Sequence, residues 1–222
     1  MAEDSGSEVT IFLESAAAAL PAEISGELCA VDGRAISAEE RVTIRGHGRL
    51  RYILHVSPGE ATGTIHRRLR CELVAPGASA EIFVLLHGKK KQRLSLDLHL
   101  HHGAGGTHSA STVRAVADGG SHLKIISEIS SAPKIGPCSA AVDSRNLLLA
   151  PTARLATAPV LSIHGNGIAC THGATIGGPR PDELFYLRSR GICEEAAKEL
   201  LCAAFSSEIL SKIPTRLPGQ II

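Results

Sequence analysis

Three consecutive runs of sequence decide the fold: GTIHRRLRCELV (63–74), AEIFVLLHG (80–88) and RLSLDLHLH (93–101). In the third run leucine occupies every second position from Leu94 to Leu100. Such alternation is typical of a strand that buries one of its faces. Glycine and proline between the runs favour turns. The stretch therefore predicts several short strands in succession.

Similar short apolar runs, broken by turn residues, continue on both sides of this stretch, from about residue 24 to residue 178. Short apolar runs recur at intervals of roughly 8 to 15 residues, and no helical period lies between them. This spacing argues against βαβ units and favours an all-β sandwich, barrel or β-helix. The chain has no Trp, four Phe, two Tyr and 22 Gly. The core must therefore be aliphatic, and such a core suits the narrow interior of a solenoid.

The N-terminal part is a separate segment, residues 1–23, ahead of a β core over 24–178. Within this segment, residues 9–20 (VTIFLESAAAAL) fit the beginning of a strand or of a short helix that ends before Pro21. The turn-like Gly88-Lys89-Lys90-Lys91 lies between two strand-like runs and is interpreted as a hairpin tip.

A C-terminal helical region, residues 179–222, follows the β core. Pro181 and the acidic residues after it predict a helix over 182–190, with Gly191 directly after its end. A second helix is predicted from Glu194 to Ile213, closed by Pro214. Its predicted apolar stripe consists of Ala197, Leu200, Leu201, Ala204, Phe205, Ile209 and Ile213.

Composition excludes several classes of function. Lys plus Arg (23) nearly balances Asp plus Glu (22), so the chain lacks the basic surface of a nucleic-acid-binding protein, even if Lys89–Lys91 lie near Arg67, Arg68 and Arg70. No run reaches the ~18 apolar residues of a membrane span, and the N-terminus lacks the basic start of a signal peptide. The six cysteines form no CxxC pair, which favours a reducing, cytoplasmic compartment.

Known catalytic motifs are also absent from the sequence. There is no GxxxxGK[ST] loop for phosphate binding, no GxSxG and no HExxH. We therefore expect a protein that is not an enzyme and that does not hydrolyse ATP unaided.

Four segments in the second half of the chain carry a family resemblance. They are NLLLA (146–150), TAPVL (157–161), CTHGAT (170–175) and DELFYLRSRGI (182–192). In this order they resemble the C-terminal half of the SufB/SufD family of iron–sulfur cluster assembly proteins. The resemblance is strong over 107–213, is closer to SufD because of the Cys-x-His-Gly-Ala-Thr segment, and implies a shortened N-terminal region. Cys193 lies where relatives tend to have a Ser-like helix cap.

The resemblance implies a mainly β fold, a right-handed parallel β-helix followed by a small C-terminal α-helical hairpin. It also implies partners: a SufB-like scaffold subunit, or a second copy of the chain in a homodimer, and a SufC-like ABC ATPase held by the C-terminal helices. A SufB-like cluster scaffold and a purely structural β-helix interaction protein are the alternatives.

Cys170 and His172 are the candidate metal-binding and cofactor-binding residues. Residues i and i+2 of a strand point to the same face, so this thiol and this imidazole could lie side by side. Both groups suit iron and zinc, but two ligands make only half a site. No tightly bound cofactor is expected. The resemblance implies transient contact with iron or an iron–sulfur cluster at a subunit junction.

Two other groups of residues allow more than one interpretation. His99 and His101 share a strand face and could bind a metal, but the leucines on the opposite face favour an ordinary strand with histidines on its solvent side. Phe185 and Tyr186 could close the helical hairpin against the β-helix or bind the ATPase. Arg188 and Arg190 could pair with acids of that partner or remain within the chain.

Overall fold

The computed structural model describes residues 8–14, 25–31, 35–45, 47–56, 63–165 and 167–213, with side chains from Glu39 onward. These residues form twelve strands and two helices. The strands are β1 (Glu8–Glu14), β2 (Ser25–Val31), β3 (Ala35–Ile44), β4 (Arg49–Val56), β5 (Thr64–Leu73), β6 (Ser79–Gly88), β7 (Arg93–His102), β8 (His108–Ala117), β9 (His122–Ser131), β10 (Cys138–Leu148), β11 (Arg154–Ser162) and β12 (Ile168–Gly177). The helices are α1 (Pro181–Ser189) and α2 (Glu194–Leu210).

The strands form two six-stranded sheets, and from β3 onward the chain visits them alternately. The first sheet has the order β1-β4-β6-β8-β10-β12 and the second has the order β11-β9-β7-β5-β3-β2. Pairing is parallel except between β2 and β3. The result is a β-solenoid of about four turns followed by two helices, which confirms the predicted fold class.

Each turn of the solenoid uses about thirty residues. In the second sheet Ala35 pairs with Thr64, Thr64 with Arg93 and Arg93 with His122, so each step adds 29 residues. The backbone repeats from turn to turn, but the side chains at equivalent positions differ. One row of equivalent positions, for example, holds Arg67, Leu96 and Ile125. This explains why the sequence shows no strict repeat.

The core lies between the two sheets and is almost entirely aliphatic. The alternating leucines of β7, from Leu94 to Leu100, are all buried, as their pattern predicts. Each stacks on the inward residues of the neighbouring turns; Leu98, for example, lies in register with Leu69. Small and branched side chains stacked in layers fill most of this interior, and Tyr52 adds one buried aromatic ring.

A buried polar cluster lies inside the first turns of the solenoid. The Tyr52 hydroxyl donates a hydrogen bond to Glu40, and the Arg67 guanidinium donates to the same carboxylate at 3.1 Å. All three side chains are almost completely buried. Arg67 therefore does not join a basic surface patch with the three lysines, and Arg68 and Arg70 form ion pairs with Glu39.

The interpretation of residues 88–91 as a hairpin tip is wrong. This turn joins β6 in one sheet to β7 in the other, so it is a corner of the solenoid. Lys90 has a positive φ of 56° in this corner. A hairpin and a solenoid corner both connect two strands through a short polar turn, so local sequence does not distinguish them.

Helix α2 begins at Glu194 as predicted but is shorter, and α1 begins at Pro181, one residue before its predicted start. Gly191 follows the end of α1 with a φ of 85°, the left-handed conformation that glycine adopts without a Cβ clash. Cys193 is the N-cap of α2 and makes no side-chain capping bond. The helix ends at Leu210, three residues before the predicted end at Ile213. Pro214 lies outside the described residues.

Helix α2 packs on the outer face of the first sheet. Its half-buried Cys202 and Phe205 contact a small outer cluster of Val116, Leu147 and Leu149. The predicted apolar stripe is partly correct, since Ala197 and Ile209 are buried, whereas Leu200 is 51% exposed. No helix among the described residues is long and apolar enough to cross a membrane.

Candidate functional site

Cys170 and His172 lie on β12, the last strand of the first sheet. Their partners across the ladder to β10 are Ala140 and Val142, both of which are buried in the core. Cys170 packs against this core. The two candidate side chains therefore share the inward face of an edge strand, at the end of the solenoid where the interior opens.

The hydrogen bond of His172 leaves one ring nitrogen available. Its Nε2 lies 3.2 Å from the carbonyl oxygen of Ser127 on β9 in the opposite sheet. A carbonyl only accepts, so Nε2 carries the proton, and Nδ1 of the neutral ring keeps its lone pair. Nδ1 is buried and has no hydrogen-bond partner among the described residues. A histidine that binds a metal through one nitrogen and donates its other N–H to a carbonyl has this arrangement.

The environment of Cys170 keeps it protonated when no metal is near. Partial burial raises the pKa of its thiol, because removal from water disfavours the thiolate. Metal binding requires the thiolate, so binding at Cys170 must release a proton. The positive charge of a metal ion would compensate for the lost hydration.

Cys170 and His172 do not make a complete metal site with the other residues that the structure describes. Among the described residues no group of three or more His, Cys, Asp and Glu side chains is placed to hold a metal ion. Iron and zinc sites in proteins commonly need three or four protein ligands. The remaining donors would have to come from a molecule that contacts the end of the solenoid.

The end of the solenoid beyond β11 and β12 is exposed and partly apolar. Among the described strands, β12 pairs only with β10 and β11 only with β9. Val160, Leu161 and Ile176 lie there as exposed large hydrophobic residues. Pro159 removes one N–H from the edge of β11, whereas β12 is ten residues long and has no proline. An uncovered edge of this kind is a template for pairing with another chain.

Helix α1 presents the aromatic residues that the sequence singled out. Phe185 is 75% exposed and Tyr186 57% exposed, so the interpretation that they close the helices against the solenoid is wrong. The Arg190 guanidinium lies 5.3 Å from the centre of the Tyr186 ring, and Arg188 lies 3.8 Å from Glu194. Both arginines are exposed, and these contacts lie within the helical pair.

His99 and His101 lie on the outer face of β7, opposite its buried leucines, as predicted. Nε2 of His99 and Nδ1 of His101 each lie 2.8 Å from the Ser130 hydroxyl. Burial lowers the pKa of His99. Both rings therefore form hydrogen bonds between the neighbouring strands β7 and β9, and a metal is not needed to explain their positions.

The sequence analysis assigned no role to two residues near the candidate site. Asn146 is buried on β10 and donates a hydrogen bond of 2.8 Å to the carbonyl oxygen of Thr175 on β12. Arg114 on β8 is buried beneath α2 and bonds acidic groups of two elements. A polar residue inside an apolar run is the one local hint, and it does not reveal the partner.

Comparison with known proteins gives consistent results. A family model described as "SUF system FeS cluster assembly, SufBD core domain" matches residues 39–205. An iron–sulfur cluster assembly SufBD family protein of Synechocystis sp. is 47% identical over 79 residues, which cover 35% of this chain and 17% of the relative. SufD of Escherichia coli is 35% identical over 91 residues, covering 35% of this chain and 22% of the relative. A second Synechocystis SufBD family protein is 24% identical over 150 residues, which cover 68% of this chain and 31% of the relative. The chain thus matches less than a third of the length of each of these relatives.

Proposed function

Because this chain belongs to the SufBD core domain family of the SUF system, we propose that it is a SufD-like, non-catalytic subunit for Fe–S cluster assembly. The observation that carries the proposal is Nδ1 of His172, which has no hydrogen-bond partner among the described residues. It lies on the same strand face as the Cys170 thiol, at the open end of the solenoid. A ligand pair that finds no third ligand among the described residues of its own chain fits a scaffold subunit better than a separate metalloenzyme.

The proposed partner at the open end is a SufB-like scaffold subunit, or a second copy of this chain. Pairing along the edge of β12 would cover the exposed Ile176, and contact with the neighbouring end of the second sheet would cover Leu161 on β11. It would also enclose Cys170 and His172 between two chains. Desolvation at such a junction strengthens charge interactions between ligands and metal.

Iron or a nascent cluster is the proposed cargo at this junction. His172 would donate through Nδ1 while its Nε2–H stays bonded to Ser127, so the ring orientation is already fixed. Cys170 would donate as a thiolate after losing its proton. The partner chain would supply the remaining ligands.

The proposed partner of the helices is a SufC-like ABC ATPase. Phe185 and Tyr186 offer a large exposed aromatic surface, and Arg188 and Arg190 add positive charge beside it. Aromatic residues and arginine are enriched at the energetically important centres of protein interfaces. The chain itself contains no phosphate-binding loop, so ATP hydrolysis would belong to the partner.

The cargo proposal is tested by anaerobic co-expression with SufB-like and SufC-like proteins, followed by iron and sulfide determination on the purified complex. His172→Ala and Cys170→Ser should lower the iron and sulfide content while the complex remains intact. His99→Ala, on the outer face of the other sheet, is the matched control and should keep the wild-type content. Wild-type content in the His172 variant would favour the alternative of a purely structural β-helix subunit.

The docking proposal is tested by pull-down of the ATPase. The double variant Phe185→Ser and Tyr186→Ser should lose binding without unfolding, because both side chains are exposed before docking. Val74→Ser removes an exposed apolar side chain far along the chain from the helices and should bind normally. Unchanged binding by the double variant would reject α1 as the docking element.

A further inference from the structure

One buried arginine joins α2 to the solenoid. The Arg114 side chain on β8 is 3% exposed. Its Nε and Nη2 lie 3.0 and 2.7 Å from the Glu208 carboxylate on α2. Nη2 also donates to the Asp143 carboxylate on β10 at 2.8 Å, and Nη1 donates to the carbonyl oxygens of Val113 and Asp143. These five bonds engage all three nitrogens of the guanidinium group.

The other contacts of α2 with the solenoid have a different character. Phe205 and Cys202 pack on an apolar cluster, and apolar contacts tolerate sliding because they are not directional. A fork of guanidinium hydrogen bonds is directional and allows one geometry. A displacement of α2 would therefore reach the sheet chiefly through Glu208 and Arg114.

The ion pairs of Arg114 with Glu208 and Asp143 lie next to the strand segment that positions the candidate site. Asp143 follows Val142 on β10, and Val142 is the ladder partner of His172 on β12. The guanidinium holds Asp143 at both its side chain and its backbone carbonyl. A shift of Arg114 would thus move the segment of β10 that positions His172.

We propose that Arg114 is a positioning residue that couples α2, through Asp143, to the strand that bears Cys170 and His172. The inference rests on the proposed function for its purpose, since a docked ATPase would be the source of force on the helices. The physical link itself belongs to the isolated chain. It can therefore be tested with or without the ATPase.

The first test is amide hydrogen exchange of the isolated full chain, followed by mass spectrometry. Glu208→Gln removes the charge but keeps the side-chain shape, and Arg114→Lys keeps the charge but loses the fork. Both variants should exchange about fivefold or more faster than wild type in peptides covering β10 and β12, a size typical of coupling between sites. Peptides covering β5 and β7 should exchange as in wild type. Glu199→Gln, an exposed glutamate of the same helix, is the matched control and should change neither region.

Two results would overturn the inference. One is unchanged exchange in β12 for both variants. The other is an equal increase in all strands, because that would show a general loss of stability and no directed coupling. Neither result depends on whether the chain binds an ATPase.

A second test uses the assembled complex with the SufB-like and SufC-like proteins. The complex is treated with iodoacetamide with and without a non-hydrolysable ATP analogue. After digestion, the rate of modification is followed by mass spectrometry on the peptide that contains Cys170. The nucleotide should change this rate in wild type and in Glu199→Gln, and the change should be lost in Arg114→Lys although the ATPase still binds. A nucleotide effect retained in Arg114→Lys overturns the coupling, whereas failure of wild type to bind the ATPase refutes only the proposed docking.

Discussion

Replacing His102 by Gln should remove much of the acid sensitivity of this fold. His102 is fully buried at the end of β7. Its Nδ1 lies 2.8 Å from the Thr107 hydroxyl and its Nε2 2.9 Å from the Ser109 hydroxyl. The Thr107 hydroxyl can donate to the carbonyl oxygen of Ala104 at 2.9 Å, so it accepts from Nδ1–H. The neutral ring therefore satisfies both nitrogens, and protonation would place a charge in the interior.

The magnitude follows from the pKa of His102 in the folded and unfolded states. Burial lowers the pKa from 6.5 to about 4. Between these values the unfolded chain binds a proton that the folded chain does not, so stability is complete above pH 6.5 and falls as pH decreases. Moving from pH 7.5 to pH 5.0 should cost about 2 kcal/mol through this residue, and the loss levels off below pH 4 at about 3 kcal/mol.

The assay is urea unfolding followed by circular dichroism at pH 7.5 and pH 5.0. Wild type should lose about 2 kcal/mol more than His102→Gln between the two pH values. His87, whose pKa burial also lowers to about 4, contributes to both proteins and cancels in this difference. If both proteins show the same pH dependence, the reasoning about His102 is refuted. Should the Gln variant not fold at pH 7.5, His102→Asn allows the same comparison.

Three further predictions concern stability and thiol reactivity. Leu98→Ala should lower the free energy of unfolding by about 2–5 kcal/mol, because the substitution leaves a cavity between the two sheets. Leu200→Ala, on the exposed side of α2, should change the free energy of unfolding by no more than about 0.5 kcal/mol. Equal losses for the two variants in urea titrations would contradict this prediction. Cys193 is exposed and should react with Ellman's reagent in the native protein. Cys71 is buried, and burial raises the pKa of its thiol to about 12, so Cys71 should react only after unfolding. Modified Cys71 detected by mass spectrometry in the native protein would contradict a closed core. Gly191→Ala should destabilise by about 1 kcal/mol because its φ is 85°, and an unchanged melting temperature would argue against the left-handed conformation.

Much of the local structure was predictable from particular residues. The alternating leucines from Leu94 to Leu100 identified a strand and its buried face, because side chains of a strand alternate regardless of where the strand lies. Pro181 and Gly191 marked the limits of α1, because their backbone preferences act within a few residues. Spacing and composition narrowed the architecture to three all-β classes, and the resemblance of residues 146–192 selected the β-helix among them.

The candidate site was predictable only in part. The Cys-x-His spacing placed Cys170 and His172 on one strand face. The sequence did not show that β12 is the last strand of its sheet or that Nε2 of His172 is bonded to Ser127. Nor did it show that Nδ1 lacks a partner in the part of the chain that the structure describes. The bond to Ser127, for example, joins His172 to a residue of the opposite sheet, 45 positions away along the chain.

The sequence by itself therefore determined most of the strands, the two helices and the identity of the candidate ligands, because these follow from alternation, backbone preference and side-chain chemistry over short distances. It left open whether residues 9–20 form a strand or a helix. Only the tertiary structure decided which strands lie at the open end, that residues 88–91 form a corner of the solenoid, and that Arg114 bonds Glu208, 94 residues further along the chain. The physical reason is that parallel stacking brings together residues about thirty or more positions apart. Any of many aliphatic or polar residues can occupy those contacts, so no local pattern specifies them.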